Sequence, residues 1–101
     1  MVPTKKVVEF AESAVRDLEE IRDWYAEQQA EDVGMRFLRE IFAKVEQLAE
    51  YPESGRIVTE FGLNVVRELI HPPFRVIYRI GEGKIWVVRI WRSERMLKMP
   101  E

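Results

Sequence analysis

Three β-rich runs within residues 65–95 constrain this chain more than any other feature. They are rich in valine, isoleucine and aromatic residues, and they are separated by Pro72-Pro73 and by Gly81-Glu82-Gly83. β-Branched and aromatic residues favour strands, whereas proline and glycine mark the turns between them. The pattern therefore predicts an antiparallel three-stranded meander.

The length of the second turn decides which side chains share a face. A three-residue loop over residues 81–83 puts Gly83 at the position that requires a positive φ. A two-residue loop would instead place Arg89 among apolar side chains, where an unpaired charge is costly. The three-residue loop predicts these neighbours across the turn: Tyr78 with Trp86, Val76 with Val88, and Arg75 with Arg89. One face then carries Val76, Tyr78, Ile80, Trp86, Val88 and Ile90, and the other carries Arg75, Ile77, Arg79, Val87, Arg89 and Trp91.

Helical periodicity precedes the meander. Apolar residues at three- and four-residue steps predict one helix over about residues 11–30 and a second over about residues 33–50, with Asp32 as the N-cap of the second. Tyr51-Pro52 ends the second helix, because a residue before proline avoids the α region. A β-rich run at residues 5–10 predicts an N-terminal strand that joins the sheet. The expected fold is α+β, with an N-terminal strand and an antiparallel two-helix hairpin packed on one face of a mostly antiparallel β-sheet.

The helical stripes define the expected core. They are Ala11, Ala14, Val15, Leu18, Ile21 and Tyr25 in the first helix, and Gly34, Leu38, Ile41, Phe42, Val45, Leu48 and Ala49 in the second. Charged residues such as Asp17 fall mainly outside these stripes. Ile57 and Val58 are expected to pin the loop over residues 53–64 to the core.

The composition limits the chemistry that is available. The length of 101 residues predicts a single domain over residues 1–101, and the chain has no cysteine and one histidine. Disulfides and cysteine-based zinc sites are therefore excluded, and no metal or other cofactor is expected. No apolar run is long enough to cross a membrane, so a cytoplasmic location is the expectation.

Charge is divided unevenly along the chain. Residues 1–64 carry eight basic and fourteen acidic residues, a net of −6, and residues 65–101 carry eight basic and four acidic residues, a net of +4. This asymmetry predicts a basic pole on the C-terminal sheet. Charge runs of this kind also occur simply as solvated surfaces, which is the structural alternative.

Arginines on the predicted sheet are the one constellation with chemical content. Guanidinium groups bind phosphate and carboxylate oxygens in a bidentate manner. The candidates for contact with an anionic partner are Arg67, Arg75, Arg79, Arg89, Arg92 and Arg95, with Trp91 and Trp86 as stacking surfaces. His71 is the only side chain that titrates near neutral pH and could act as a base, although a lone histidine at a turn is more often structural.

Several segments, in their order and spacing, resemble the RelE/ParE superfamily of type II toxin–antitoxin toxins. The resemblance covers nearly the whole chain. The segments are Val8-Glu9-Phe10 before the helix with Asp17-Leu18-Glu19-Glu20-Ile21, then Leu48-Ala49-Glu50-Tyr51-Pro52-Glu53-Ser54-Gly55-Arg56, Arg67-Glu68-Leu69, Phe74-Arg75-Val76-Ile77-Tyr78-Arg79-Ile80 and Arg89-Ile90-Trp91-Arg92-Ser93-Glu94-Arg95. Arg92 and Ser93 stand where the closing segment of the family usually has histidine and glycine.

The resemblance implies two mechanisms. RelE-type members are endoribonucleases that cut mRNA on the ribosome. Arg75 and Arg95 match the positions of their phosphate-holding arginines, and His71 would be the only base left. ParE-type members share the fold but poison DNA gyrase without known chemistry of their own.

The gyrase-directed interpretation is favoured by the long helical hairpin, by the acidic N-terminal half and by the absence of a tyrosine after Arg95. It implies a target-binding set of Arg75, Arg79, Arg89, Trp91, Arg92 and Arg95. Either mechanism implies a cognate antitoxin as partner in a hetero-oligomer. A third interpretation is a divergent module that only binds its antitoxin.

Overall fold

The computed structural model describes residues 5–58 and 65–92. Its elements are β1 (Val7–Phe10), α1 (Glu12–Glu27), α2 (Glu31–Glu46), a 3₁₀ turn (Gln47–Ala49), β2 (Arg56–Ile57), β3 (Val66–His71), β4 (Phe74–Ile80) and β5 (Lys84–Arg92). The strands form one five-stranded sheet in the order β1-β5-β4-β3-β2. β1 runs parallel to β5, and the other neighbours are antiparallel. The predicted N-terminal strand, helical hairpin and meander are all confirmed.

Both helices pack on one face of the sheet, and the core lies between them. Its fully buried members come from both layers, since an amphipathic helix and a half-covered sheet each have one apolar surface to bury. They are Ala14, Tyr25, Ile41, Val45 and Leu48 from the helical layer, and Phe74, Val76, Tyr78, Ile85, Val87 and Ile90 from the sheet.

The connection between the helices, residues 28–30, lies earlier in the chain and is one residue longer than the predicted break at residues 31–32. Gln29 takes a left-handed φ of 58°, and Ala30 rather than Asp32 is the N-cap of α2. The carbonyl of Ala30 already accepts from the N–H of Gly34 at 3.1 Å, so Asp32 lies inside the first turn and its predicted capping role is wrong. A Cβ on Gly34 would lie only 2.8 Å from Cβ of Tyr25, which explains how the two helices come so close.

The predicted register of the second hairpin is wrong. The loop has two residues, because the N–H of Gly81 donates to the carbonyl of Lys84 at 2.8 Å, although Gly83 does have the expected positive φ of 68°. A bulge then shifts the pairing by one further residue between Ile77 and Tyr78. The observed neighbours are Arg79 with Trp86, Tyr78 with Val87, Ile77 with Arg89, Val76 with Ile90, and Arg75 with Trp91. Trp86 and Val87 therefore exchange faces relative to the prediction, and the bulge keeps Arg89 out of the apolar core.

Helix α1 covers the edge of β5 that β1 leaves open, since β1 pairs only with residues 84–87. The hydroxyl of Ser13 donates to the carbonyl of Val88 at 2.6 Å, at the bulge. The N–H of Ile90 donates to Oδ2 of Asp17 at 2.8 Å. Asp17 is 6% exposed, so its placement outside the buried stripe is wrong. The unpaired backbone groups of a strand edge can pair with another chain. Ser13 and Asp17 instead hydrogen-bond two of these groups in β5.

Three predicted core residues are substantially exposed: Val15 at 41%, Phe42 at 45% and Ile57 at 43%. Ile57 belongs to the two-residue edge strand β2, and the face of α1 turned to the sheet includes Asp17 in place of Val15. Val58 is buried as predicted. The prediction for residues 59–64 lies outside the described residues.

Candidate target-binding surface

The face of the sheet opposite the helices, here called the open face, collects most of the predicted arginines. Directly paired residues share a face, and side chains alternate along each strand. The open face consists of Val66, Glu68 and Ile70 of β3, Arg75, Ile77 and Arg79 of β4, Lys84, Trp86, Arg89 and Trp91 of β5, Val7 and Glu9 of β1, and Arg56 of β2. The expectation that Arg75 and Arg79 lie opposite the helices is confirmed.

Exposed Arg79 stacks on the partly buried ring of Trp86 at one end of the open face. The guanidinium carbon of Arg79 lies 4.6 Å from the indole centroid. Nζ of Lys84 lies 5.5 Å from the same ring and 3.4 Å from Oε2 of Glu9. Within the described residues, Arg79 has no carboxylate within 4.0 Å. This end of the face therefore offers a cation held on a flat aromatic surface.

Glu68 lies at the other end of the open face, where it pairs with Arg75 and Arg56. It is only 3% exposed, and its Oε1 accepts from Nε of Arg75 at 2.6 Å and also from Nη2 of Arg75. Its Oε2 accepts from Nε of Arg56. A buried carboxylate is stable only when it is paired and hydrogen-bonded, and both conditions are met here. The sequence reasoning did not single out Glu68; the signal was the Pro72-Pro73 turn, which sets Glu68 diagonally across from Arg75.

Arg89 holds the open face to α1. Its Nε and Nη2 donate to Asp17 at 2.8 and 3.1 Å, and its guanidinium carbon lies 4.8 Å from the ring of Trp91. The hydrogen bonds to Asp17 raise the pKa of Arg89, and partial burial acts in the opposite direction. Arg89 is thus part of the contact that seals the edge of β5.

His71 lies on the helical face, away from the open face. Its Nε2 is 2.8 Å from Oε1 of Glu40 on α2, and its ring meets Phe37 edge-on at 6.5 Å. In the β3–β4 pairing, His71 is opposite Phe74, whereas Arg75 is opposite Ile70. The structure therefore does not bring His71 and Arg75 together.

Arg92 also lies apart from the open face. It is paired with Phe74, and its guanidinium carbon is 5.3 Å from the ring of Trp24 and 5.6 Å from that of Phe74. It lines a cleft of about 210 Å³ between α1 and the end of β5. Arg67 is on the helical face, where its Nη1 donates to the carbonyls of Glu53 and Gly55 at 3.2 and 3.0 Å. Arg95 and the rest of the tail lie outside the described residues.

The described ranges 5–58 and 65–92 contain no group of three or more histidine, cysteine, aspartate or glutamate side chains arranged to hold a metal ion. No helix in the same ranges has both the length and the apolar character needed to span a bilayer.

Two solved structures have a fold similar to that of this chain. A chain of the chromosomal ParDE TA system from P. aeruginosa superposes with a TM-score of 0.74 at 23% identity, over 87% of this chain and 96% of that one. A chain of the toxin–antitoxin complex RelBE2 from Mycobacterium tuberculosis gives a TM-score of 0.66 at 18% identity, over 88% and 99%. This chain therefore shares the fold of these two chains.

Sequence comparison assigns the chain to a family. A family described as the ParE toxin of the type II toxin–antitoxin system parDE matches residues 8–97. Toxin RelE2 of Caulobacter vibrioides (strain ATCC 19089 / CIP 103742 / CB 15) is 34% identical over 84 residues, which cover 82% of this chain and 90% of that protein. This chain belongs to the ParE toxin family of type II toxin–antitoxin systems.

Proposed function

We propose that this toxin acts by binding DNA gyrase and that a cognate antitoxin neutralises it in a hetero-oligomer. The observation that carries the proposal is the separation of His71 from Arg75. A general base must come within hydrogen-bond reach of the proton it removes, directly or through one water. His71 is bonded to Glu40 under α2, and Arg75 lies on the opposite face of the sheet.

This separation supports a binding function over RNA cleavage. A phosphate held by Arg75 would have the sheet between it and the only histidine of the chain. The open face instead offers cations and indole rings, which suit binding to a large partner. Gyrase inhibition by binding needs no acid–base pair on the toxin.

The Arg79–Trp86 stack favours the alternative function, a ribosome-dependent mRNA endoribonuclease. A cation beside a partly exposed indole can bind a phosphate and stack a base of single-stranded RNA. Under that alternative, replacing His71 would remove the acid–base group and lower the cleavage rate by roughly 10²–10⁴-fold.

The two functions can be separated by measuring gyrase cleavage complexes and mRNA cleavage side by side, with the toxin produced in the absence of antitoxin. Under the proposal, the native chain stabilises gyrase cleavage complexes and His71→Ala retains that activity. mRNA cleavage that disappears in His71→Ala, together with no gyrase effect of the native chain, would contradict the proposal.

Arg79 provides the second arm of this test. Arg79→Gln is expected to weaken gyrase binding by about 1.5–3 kcal/mol, the usual contribution of a charged hydrogen bond. The control is Arg22→Gln. Arg22 lies on α1 and not on the open face, its side chain is 57% exposed, and it is paired with Asp23. Equal effects of the two variants would show that only net charge matters to the target.

A groove beside β1 is the surface that we propose for the antitoxin. It measures about 730 Å³ and is lined by Val8, Phe10, Arg39, Phe42, Ala43, Val45, Glu46 and Ala49. Among the strands of the described ranges, β1 lies at the edge of the sheet. The N–H groups of Val7 and Ala11 donate to the β5 side, so those of Val8 and Phe10 point outward. An apolar groove beside a free strand edge suits an extended or helical peptide that adds to the sheet.

Phe42 allows a matched test of the groove. Phe42 and Met35 lie on the same helix and are each 45% exposed, but only Phe42 lines the groove. Phe42→Gln is expected to weaken antitoxin binding by about 1.5–3 kcal/mol, the contribution of burying one large apolar side chain. Met35→Gln should change the affinity little. Equal losses in a calorimetric titration would contradict this docking surface.

A further inference from the structure

Glu68 stands out because it is a nearly buried anion on a sheet face that carries several arginines. It is 3% exposed, whereas the side chains that it binds are 12% exposed in Arg75 and 70% exposed in Arg56. No catalytic or folding role assigned above requires a carboxylate here. The same position filled by an apolar residue would leave both guanidinium groups directed at the space above the sheet.

The contact occupies one edge of the guanidinium group of Arg75. Nε and Nη2 of Arg75 both donate to a single carboxylate oxygen, Oε1 of Glu68. Guanidinium groups bind carboxylate and phosphate with the same planar set of donors. The Nε–Nη2 edge of Arg75, which Glu68 occupies, is therefore closed to an external phosphate. To open it, the buried carboxylate would have to lose its main partner, which is strongly unfavourable.

We propose that Glu68 is a specificity-determining residue, an internal substitute for a nucleic-acid phosphate that occupies one edge of Arg75 and Nε of Arg56 and so weakens the binding of nucleic acid by these two arginines. Arg79 remains as the open cation of this face, since its neighbour is the ring of Trp86 at 4.6 Å. The inference deepens the proposed function, on which it rests for taking the open face as the target-binding surface. It explains how an arginine-rich sheet can serve a protein target without attaching the toxin to RNA.

The test is the binding of a labelled oligouridine to the purified chain, measured by fluorescence anisotropy at about 10 mM salt, where charge contacts are least screened. Glu68→Gln keeps the shape of the side chain and releases the two guanidinium groups, so we expect its dissociation constant to fall by about tenfold or more. The control is Glu9→Gln, which removes the same charge from the same face but contacts Lys84 and not Arg75. Equal effects of the two variants would overturn the proposal.

A second measurement decides the matter if Glu68→Gln does not fold, as judged by its far-ultraviolet circular dichroism. For single strands the slope of log Kobs against log salt is about −0.7 per phosphate contact. Arg79→Gln is expected to reduce this slope by about 0.7, whereas Arg56→Gln should reduce it less, because Nε of Arg56 is already bound to Glu68. Both side chains are solvent-exposed, so neither variant threatens the core.

Equal slope changes in Arg56→Gln and Arg79→Gln would overturn the proposal. Absence of any oligouridine binding by the native chain at about 10 mM salt would count against it too, because the proposal leaves Arg79 open. Gyrase takes no part in these measurements. Failure of the gyrase assay and failure of this inference are therefore distinguishable.

Discussion

Replacing Asp17 by alanine tests how α1 is held to the sheet. The carboxylate accepts three hydrogen bonds: from the N–H of Ile90 at 2.8 Å, and from Nε and Nη2 of Arg89 at 2.8 and 3.1 Å. Asp17 and Ile90 are both almost fully buried, so the N–H of Ile90 has no immediate access to water. The alanine variant should therefore lose stability through a backbone group left unsatisfied at the edge of β5.

The expected size follows from the partners. A buried N–H left without an acceptor costs about 1–3 kcal/mol. The side chain of Arg89 is 40% exposed and can turn toward water, so the ion pair is discounted to about 1 kcal/mol or less. Alanine regains about 0.5 kcal/mol through its helix propensity. The net loss is about 0.5–3.5 kcal/mol, or roughly 2–28 °C in melting temperature for a domain of this size.

The assay is urea unfolding of the purified chain followed by circular dichroism, with thermal melting in parallel. Asp23→Ala is the control, because it makes the same substitution on the same helix at a side chain that is 61% exposed. It includes the gain in helix propensity but removes no buried hydrogen bond. A difference between the two variants below about 1 kcal/mol would refute the inferred role of Asp17, since surface substitutions rarely exceed 0.5 kcal/mol.

The remaining predictions concern Tyr78, the neighbouring Gly55 and the hairpin glycine Gly83. The hydroxyl of Tyr78 accepts from the N–H of Gly55 at 2.9 Å and donates to the carbonyl of Pro52 at 2.7 Å, so Tyr78→Phe should cost about 1–3 kcal/mol in urea unfolding. Burial raises the pKa of Tyr78 above its usual 10.0, so the hydroxyl ionises at lower pH in the unfolded chain than in the folded one. The contribution of Tyr78 to stability should therefore be constant below pH 10.0 and fall as the pH rises through the folded pKa. Tyr78→Phe should remove this fall. Gly55→Ala should cost more than Gly83→Ala, because a Cβ on Gly55 would lie 2.6 Å from both the carbonyl of Glu68 and the hydroxyl of Tyr78, whereas Gly83 has open space and only an unfavourable φ of 68°. A melting temperature lowered equally by both alanines would contradict this packing.

The sequence by itself determined the elements and the family. Pro72-Pro73 separates β3 from β4 at the expected place, and Gly83 takes the predicted positive φ. These outcomes depend on local backbone restrictions, which a residue imposes wherever it occurs. The helices followed from periodicity for the same reason, since an amphipathic stripe is encoded within the segment itself. The resemblance to the RelE/ParE superfamily is confirmed by the match over residues 8–97.

Only the tertiary structure decided the register of β5 and the partners of the buried acids. The bulge lies at Val88, where the hydroxyl of Ser13 binds the strand from α1, so the register depends on a helix 75 residues away in sequence. In a local sequence pattern, Asp17 and Glu68 look like ordinary surface charges. A carboxylate is stable when buried only if it is paired, and their arginine partners are supplied by the tertiary structure. The same long-range packing put His71 and Arg75 on opposite faces of the sheet, since a side chain's face is fixed by strand pairing and not by residue type.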